Sequence, residues 1–404
     1  MQKILAFWRR EQEIFFSLTE NSRWLLLCSQ LTRFASPFIG LFLNLFLWRE
    51  TADLKTLIFF NAALFVGLPL GFIVNGLALK KLGIKQLFQF SFLTQIIFPL
   101  LIVLLKTSVL SYIYPLALIN SFGAAFYWAN LNYLTFNLNT DKNRGYFIGL
   151  DFSIGSFIGI VAPILAGFIV SFAGGYYLSF LVAAGIFSVG TLVAGKFIAS
   201  QPSLDFQPQE TIIHDQNSSW AKARAMMFFW GIISASTLFT GSILALNFFR
   251  QEAGVGLFNG AMGVIGVLAA YSAGRIISVQ RRLLGAIIGT TILVLGALAF
   301  GLAPTVIGFV AFISSCQIGG FFTWTAMYTL NMREIDRGPL GPEQKYHYVV
   351  DNEIFMNIGR LVGLTLFFSL LLRFSDFESF RLIILLTIVF WLVNLLVIRS
   401  LAHD

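Results

Sequence analysis

The chain repeats itself. Gly123-Ala-Ala-Phe126-Tyr-Trp128, near the end of one long apolar run, returns 196 positions later as Gly319-Gly-Phe-Phe322-Thr-Trp324, near the end of another. In the run that follows, Asp151 is matched by Glu353 at 202, and the six additional positions are accounted for by the turn-forming insert Gly338-Pro-Leu-Gly-Pro-Glu343. A duplication with both copies in the same orientation restricts the fold to two like bundles related by pseudo-symmetry. In membrane proteins of that kind the site lies at the interface between the repeats.

The apolar runs set the class. Crossing about 30 Å of hydrocarbon takes about 20 helical residues, and runs of that length fall at 24–48, 57–79, 86–105, 109–137, 146–173 and 176–197. A second set occupies 225–248, 255–277, 283–303, 305–332, 349–372 and 379–398. Only 11% of the residues are charged against 57% hydrophobic, well below the roughly one-quarter charged content of soluble domains. The expected fold is all-α, with twelve membrane-spanning helices in two six-helix bundles. Segments 21–198 and 222–404 form the bundles, 199–221 is a polar linker containing Pro202 and Pro208, and 1–20 is an amphipathic stretch on the inner leaflet.

Charge placement gives the orientation. Of the 27 Lys and Arg, only Arg49, Lys55, Lys106, Arg250, Arg373 and Arg381 fall on the side opposite the amino terminus, and Arg33 and Arg360 lie inside spans. By the positive-inside rule both termini then belong in the cytoplasm, and the plasma (inner) membrane is the expected location. The net charge of +8 is a topology signal. Its dispersal over short loops argues against a nucleic-acid partner. Cys28 and Cys316 sit inside apolar runs as packing residues, His214, His347 and His403 fall in cytoplasmic segments, and no metal or cofactor spacing occurs.

Gly76-Leu-Ala-Leu79-Lys80-Lys81-Leu-Gly83-Ile-Lys85 follows the second span and resembles the signature loop of the major facilitator superfamily, with Leu79 where the family usually has Asp. Gly274-Arg275 through Arg281-Arg282 is a looser copy. Gly155, Gly159, Pro163 and Gly167 on the fifth span are similar to the glycine and proline series of the family's exporters. The resemblance covers essentially the whole chain. It implies a monomeric secondary transporter that moves a small-molecule substrate by alternating access within membrane lipids, with a lean to export and with protons as the candidate coupling ion. Uptake or uniport of an organic acid, a transport-inactive receptor or scaffold, and a membrane-embedded transferase are the alternatives. No Gly-x4-Gly-Lys-Ser/Thr loop supports ATP hydrolysis.

Charges at membrane depth are costly unless paired or facing water, so they mark candidate sites. Asp151 and Glu353 fall near the cytoplasmic ends of helices 5 and 11. The resemblance sets helix 5 beside helix 8 and helix 2 beside helix 11, so Asp151 with Arg275, and Glu353 with Lys80 or Lys81, are expected as two symmetric latches. Arg33 and Arg360 lie deeper and have no counterpart in the other half. They suit a carboxylate or phosphate of the substrate, with pairing to Glu353 or a carbonyl as the structural alternative. Trp128 and Trp324 are expected as cavity walls, with Asn130, Asn132, Gln317, Thr325 and Tyr328 as polar neighbours. Gln30, Asn44, Asn61, Gln95 and Asn357 are unranked additions.

Overall fold

The structure, a computed structural model, describes residue 12 and residues 15–138, 141–196, 206–210, 218–277, 279–337 and 342–403. Among these the regular structure is helical throughout. The first half comprises α1 (Glu20–Thr51), α2 (Leu54–Leu79), α3 (Ile84–Leu105), α4 (Ile113–Leu138), α5 (Asp141–Phe168) and α6 (Gly175–Ala194). The second comprises α7 (Ser218–Ser236, resuming as Thr240–Leu244 and Ala245–Phe249), α8 (Glu252–Ile276), α9 (Arg282–Leu302), α10 (Val306–Arg337), α11 (Pro342–Leu371) and α12 (Asp376–His403). Twelve spans are long and apolar enough to cross a bilayer.

Local chemistry sets the helix ends. Thr19 caps α1 by accepting from Ser22 N–H, and Asp53 caps α2 by accepting from Lys55 and Thr56 N–H. Between them Ala52 adopts a left-handed φ of 47°, so the first hairpin turns within a few residues. Several helices start earlier than their apolar runs. α5 begins at Asp141, α7 at Ser218 (inside the predicted linker) and α11 at Pro342, because hydrogen bonding continues past the hydrocarbon edge once a helix is nucleated. The amphipathic stretch ending at residue 20 lies largely outside the described residues.

Packing repeats as the sequence does. In the first half α1 packs on α5 and α6, α2 on α4, and α3 on α4 and α6; in the second, α7 packs on α11 and α12, α8 on α10, and α9 on α10 and α12. Each of these contacts is reproduced six helices later. Aromatic clusters fill the bundles, such as Phe88, Phe92, Tyr127 and Phe187 across α3, α4 and α6, with ring centroids 5.4 to 6.4 Å apart. Each such pair contributes about 0.5 to 1.5 kcal/mol beyond its burial. The halves meet along α5 with α8 and α2 with α11. These are the two pairings that the sequence resemblance implied.

Candidate functional site: a cavity between the halves and its gates

The face carrying the start of α1 and the end of α12 is the termini face, and the opposite one is the far face. On the far face the halves are joined. Arg49 Nε donates to Glu252 Oε1 at 3.0 Å, Tyr176 Oη donates to the same oxygen at 2.8 Å, and Ala253 N–H donates to Ser171 Oγ at 2.8 Å. Below them Gly167 meets Gly256. A Cβ on Gly167 would lie 2.8 Å from Glu252 O, and one on Gly256 would lie 2.5 Å from Pro163 O, so α5 and α8 approach as only small residues allow. The contact continues down to Gly159 and Gly263. The α5 glycine and proline series is therefore an interdomain seam, with Gly155 apart from it, packed against Arg33. α1 also touches the Thr240–Leu244 segment of α7.

The termini face differs. There α4 and α10 make no more than glancing contact among the described residues, while α2 and α11 stay closed around an aromatic wedge. Tyr346 Oη donates to Phe72 O at 2.8 Å and sits 3.1 Å from Asn75 Nδ2, and Asn75 exchanges hydrogen bonds with Asn130. Phe206, from the segment between the halves, is fully buried here and stacks on His347 at 4.7 Å. Gly76 is where it is because a Cβ would strike Phe206 and Tyr346. Lys80 and Lys81 close the end of α2, and Gly83 begins α3 one residue before Ile84, with Lys85 in its first turn. The halves are thus joined on the far face through α1, α5 and α8 and on the termini face through α2 and α11, with little contact between α4 and α10 among the described residues.

Asp151 finds its partners within its own half. It lies ten residues, about 15 Å, from the start of α5. It accepts from Ser29 Oγ at 2.6 Å and Gln30 Nε2 at 2.7 Å, and pairs with Arg33 Nη2 at 2.6 Å. Ser29, Gln30 and Arg33 share one face of α1 at i, i+1 and i+4. The expected latch partner, Arg275, lies instead over the Tyr271 ring. The acid is held by its own half.

Glu353 with Lys80 or Lys81 is corrected by register. On antiparallel α2 and α11, Arg360 lies over the Phe65 ring and Tyr346 meets Asn75, which sets Glu353 opposite residue 70, roughly 15 Å of helix from Lys80. Glu353 instead accepts from Asn357 Nδ2 at 3.1 Å, and Arg360 Nη1 donates to Asn357 Oδ1 at 3.0 Å. The α11 wheel then orients both charges. Met356, Gly359 and Gly363 press on α7, Tyr346 and Phe368 press on α2, and exposed Ile358 and Val362 mark the outer side. At 100° per residue Glu353 and Arg360 fall between the α7 and α2 faces, towards the space between the halves.

The two arginines are not equivalent. Arg33 is neutralised by Asp151, whereas Arg360 has no carboxylate within 4 Å among the described residues: it meets Asn357 Oδ1, Met356 Sδ and the Phe65 ring, and Glu353, joined to it through Asn357, is a more distant opposite charge. A guanidinium has five N–H donors, so most of its capacity is unused.

Aromatic walls flank this space. Trp128 is 47% exposed on the α4 face that also carries Asn132, whereas Tyr328, expected as a cavity residue, is 46% exposed on α10 in a pocket with Arg282 at the termini face. Trp324 stacks with Tyr328 at 6.0 Å and packs on Trp230 at 5.0 Å, which in turn meets Trp391. Trp324 is therefore part of a packed cluster as well as a wall. Gln317 lies against Gly266 of α8, with its Oε1 3.0 Å from where a Cβ would sit.

Two sites escaped the sequence reading. Asp351, fully buried, takes Arg224 Nε at 2.6 Å and Trp220 Nε1 at 2.7 Å. Trp220 and Arg224 stand one helical turn apart, which was the available signal. The far-face trio of Arg49, Tyr176 and Glu252 was the other, concealed because Arg49 counted only as a loop charge.

The family model of the Major Facilitator Superfamily matches residues 25–342. The chain belongs to that superfamily. A relative in Bacillus subtilis (strain 168), the uncharacterized protein YqgE, is 25% identical over 337 residues, covering 81% of this chain and 77% of its own. Among solved structures, a bacterial homologue of the iron transporter ferroportin covers 95% of this chain in its inward-facing state and 96% in its outward-facing state. It matches 99% and 100% of its own chain, with TM-scores of 0.69 and 0.70 at 16% and 15% identity. Overall superposition does not separate the two states. A point mutant of the nucleoside transporter NupG superimposes with a TM-score of 0.68 at 14% identity, covering 95% of this chain and 100% of its own. At such identities these structures establish the fold.

Proposed function

We propose that this membrane transport protein is a secondary active transporter that moves a small organic solute carrying an anionic group, by alternating access, across the plasma membrane with both termini cytoplasmic. The observation that carries the reading is Arg360, a cation on the wall between the halves with no carboxylate within 4 Å among the described residues, beside the Phe65 ring. A carboxylate or phosphate would supply the acceptors that Arg360 lacks, and the aromatic residues of α4 and α10 would hold the organic part. The α5 glycine seam leans the reading towards export.

Closing the termini face would complete the cycle. The register of Gly167 with Gly256 and Gly159 with Gly263 sets Asp151 opposite residues 271 and 272, about one turn from Arg275. Arg275 would then take Asp151 from Arg33, and a proton on Asp151 would bias that exchange. The full chain in proteoliposomes is expected to give saturable flux of labelled organic anions, steepened by an imposed pH gradient. Flux of amphipathic cations alone would overturn the anionic assignment, and no flux of any tested solute class would favour a receptor or scaffold.

A further inference from the structure

A second cationic site lies away from the cavity. Arg282 opens α9, and Tyr328, Thr329, Met332, Arg333, Asp336 and Arg337 close α10; together they line a pocket of about 460 Å³ on the termini face. Its charges do not cancel. Glu334, buried, is shared by Arg333 at 2.7 Å and Arg337 at 3.1 Å, and Asp336 is taken by Lys345 at 3.0 Å. Arg282 has no carboxylate within 4 Å among the described residues, so four basic groups face two acids.

The helical wheel shows what the pocket opens on. On α10, Phe312, Ser315, Gly319 and Thr323 press on α9, and Gln317 and Phe321 press on α8. Thr329 and Asp336 fall between those faces, on the same side as Ile307, which is 81% exposed. That side is turned away from Trp324 and Met327, which meet α7 and α12, and so lies on the outside of the bundle. Leu284 and Ile287 are exposed on the side of α9 turned away from α10, so the outer surface of α9 near the pocket is apolar. The result is a basic pocket at the end of an apolar groove, level with the helix ends.

We propose that this pocket binds the phosphodiester of an anionic glycerophospholipid in the leaflet at the termini face, with the acyl chains lying along the α9–α10 groove. Arg282 supplies the uncompensated charge and Arg333 and Arg337 the flanking donors, while the apolar groove favours a lipid over a soluble phosphate.

Arg282→Gln tests the assignment without touching an ion pair, and Arg281→Gln, its exposed neighbour outside the pocket, is the charge-matched control. Lipid retained by the purified full chain is measured by native mass spectrometry after exchange into phosphatidylglycerol or phosphatidylcholine. Phosphatidylglycerol binding is expected to fall about fivefold in Arg282→Gln, as loss of one basic residue at a membrane surface implies, with little change in Arg281→Gln and none for phosphatidylcholine. An equal fall in both variants would mean diffuse surface charge and overturn the site. Displacement of the lipid by millimolar inorganic phosphate would identify a soluble anion as the occupant and overturn the lipid assignment.

Discussion

Arg360→Ala is expected to abolish measurable binding of the anionic solute while leaving the protein folded. The guanidinium has no carboxylate within 4 Å among the described residues, so its removal breaks no direct ion pair, and Glu353 keeps its hydrogen bond from Asn357. Losing a charge-assisted contact with the solute costs about 2 to 5 kcal/mol, at least roughly 30-fold in affinity. Arg360→Lys is expected to fail nearly as badly, since an ammonium cannot reproduce a bidentate fork or lie flat over Phe65. Arg33→Ala is the contrasting case: Asp151 loses its ion pair, and the larger effect falls on stability. Affinity and melting temperature measured on all three variants separate the roles. Normal affinity in Arg360→Ala with a lowered melting temperature would make Arg360 a structural residue.

Asp351→Ala is expected to be the most destabilising of the single substitutions considered. Its carboxylate is fully buried and holds both Arg224 Nε and the Trp220 indole N–H, so truncation leaves a largely buried guanidinium and a buried donor without this acceptor. Breaking a buried ion pair by removing one partner costs about 3 to 5 kcal/mol. Asp336→Ala removes an exposed pair with Lys345, and surface pairs contribute about 0 to 1 kcal/mol. The two variants should therefore separate clearly in detergent melting. Coincident melting curves would mean that Arg224 finds another acceptor and that the α7–α11 joint does not depend on Asp351.

The bundle architecture was legible because membrane spans are written in apolar length and the duplication preserves order. The six-helix offset seen between Trp128 and Trp324 is the same offset that relates the packing of α1 on α5 to that of α7 on α11. Side-chain partnerships were less legible, for reasons of geometry. Asp151 is taken by Ser29, Gln30 and Arg33, which share one face of α1, before it can reach Arg275 across the seam. Glu353 and Lys80 are near neighbours in a helix-pair diagram, yet the antiparallel register fixed by Tyr346 with Asn75 parts them by several turns. Arg49 counted only as a charge on the side opposite the amino terminus. Depth alone does not distinguish a charge that meets solvent from one that meets the other half.

The proposed alternating access requires the halves to part at the far-face contact of Arg49, Tyr176 and Glu252. Spin labels at exposed Glu50 and Gln251 flank that gate on α1 and just before α8, and double electron–electron resonance reads their separation. The native gate is expected to give a dominant short distance, and Glu252→Gln, which removes the ion pair with Arg49, should add a longer population. Labels at Gln86 and Asp336 on the termini face should shorten in step. One unchanged distance distribution at both faces, with and without Glu252→Gln, would contradict alternating access in this protein.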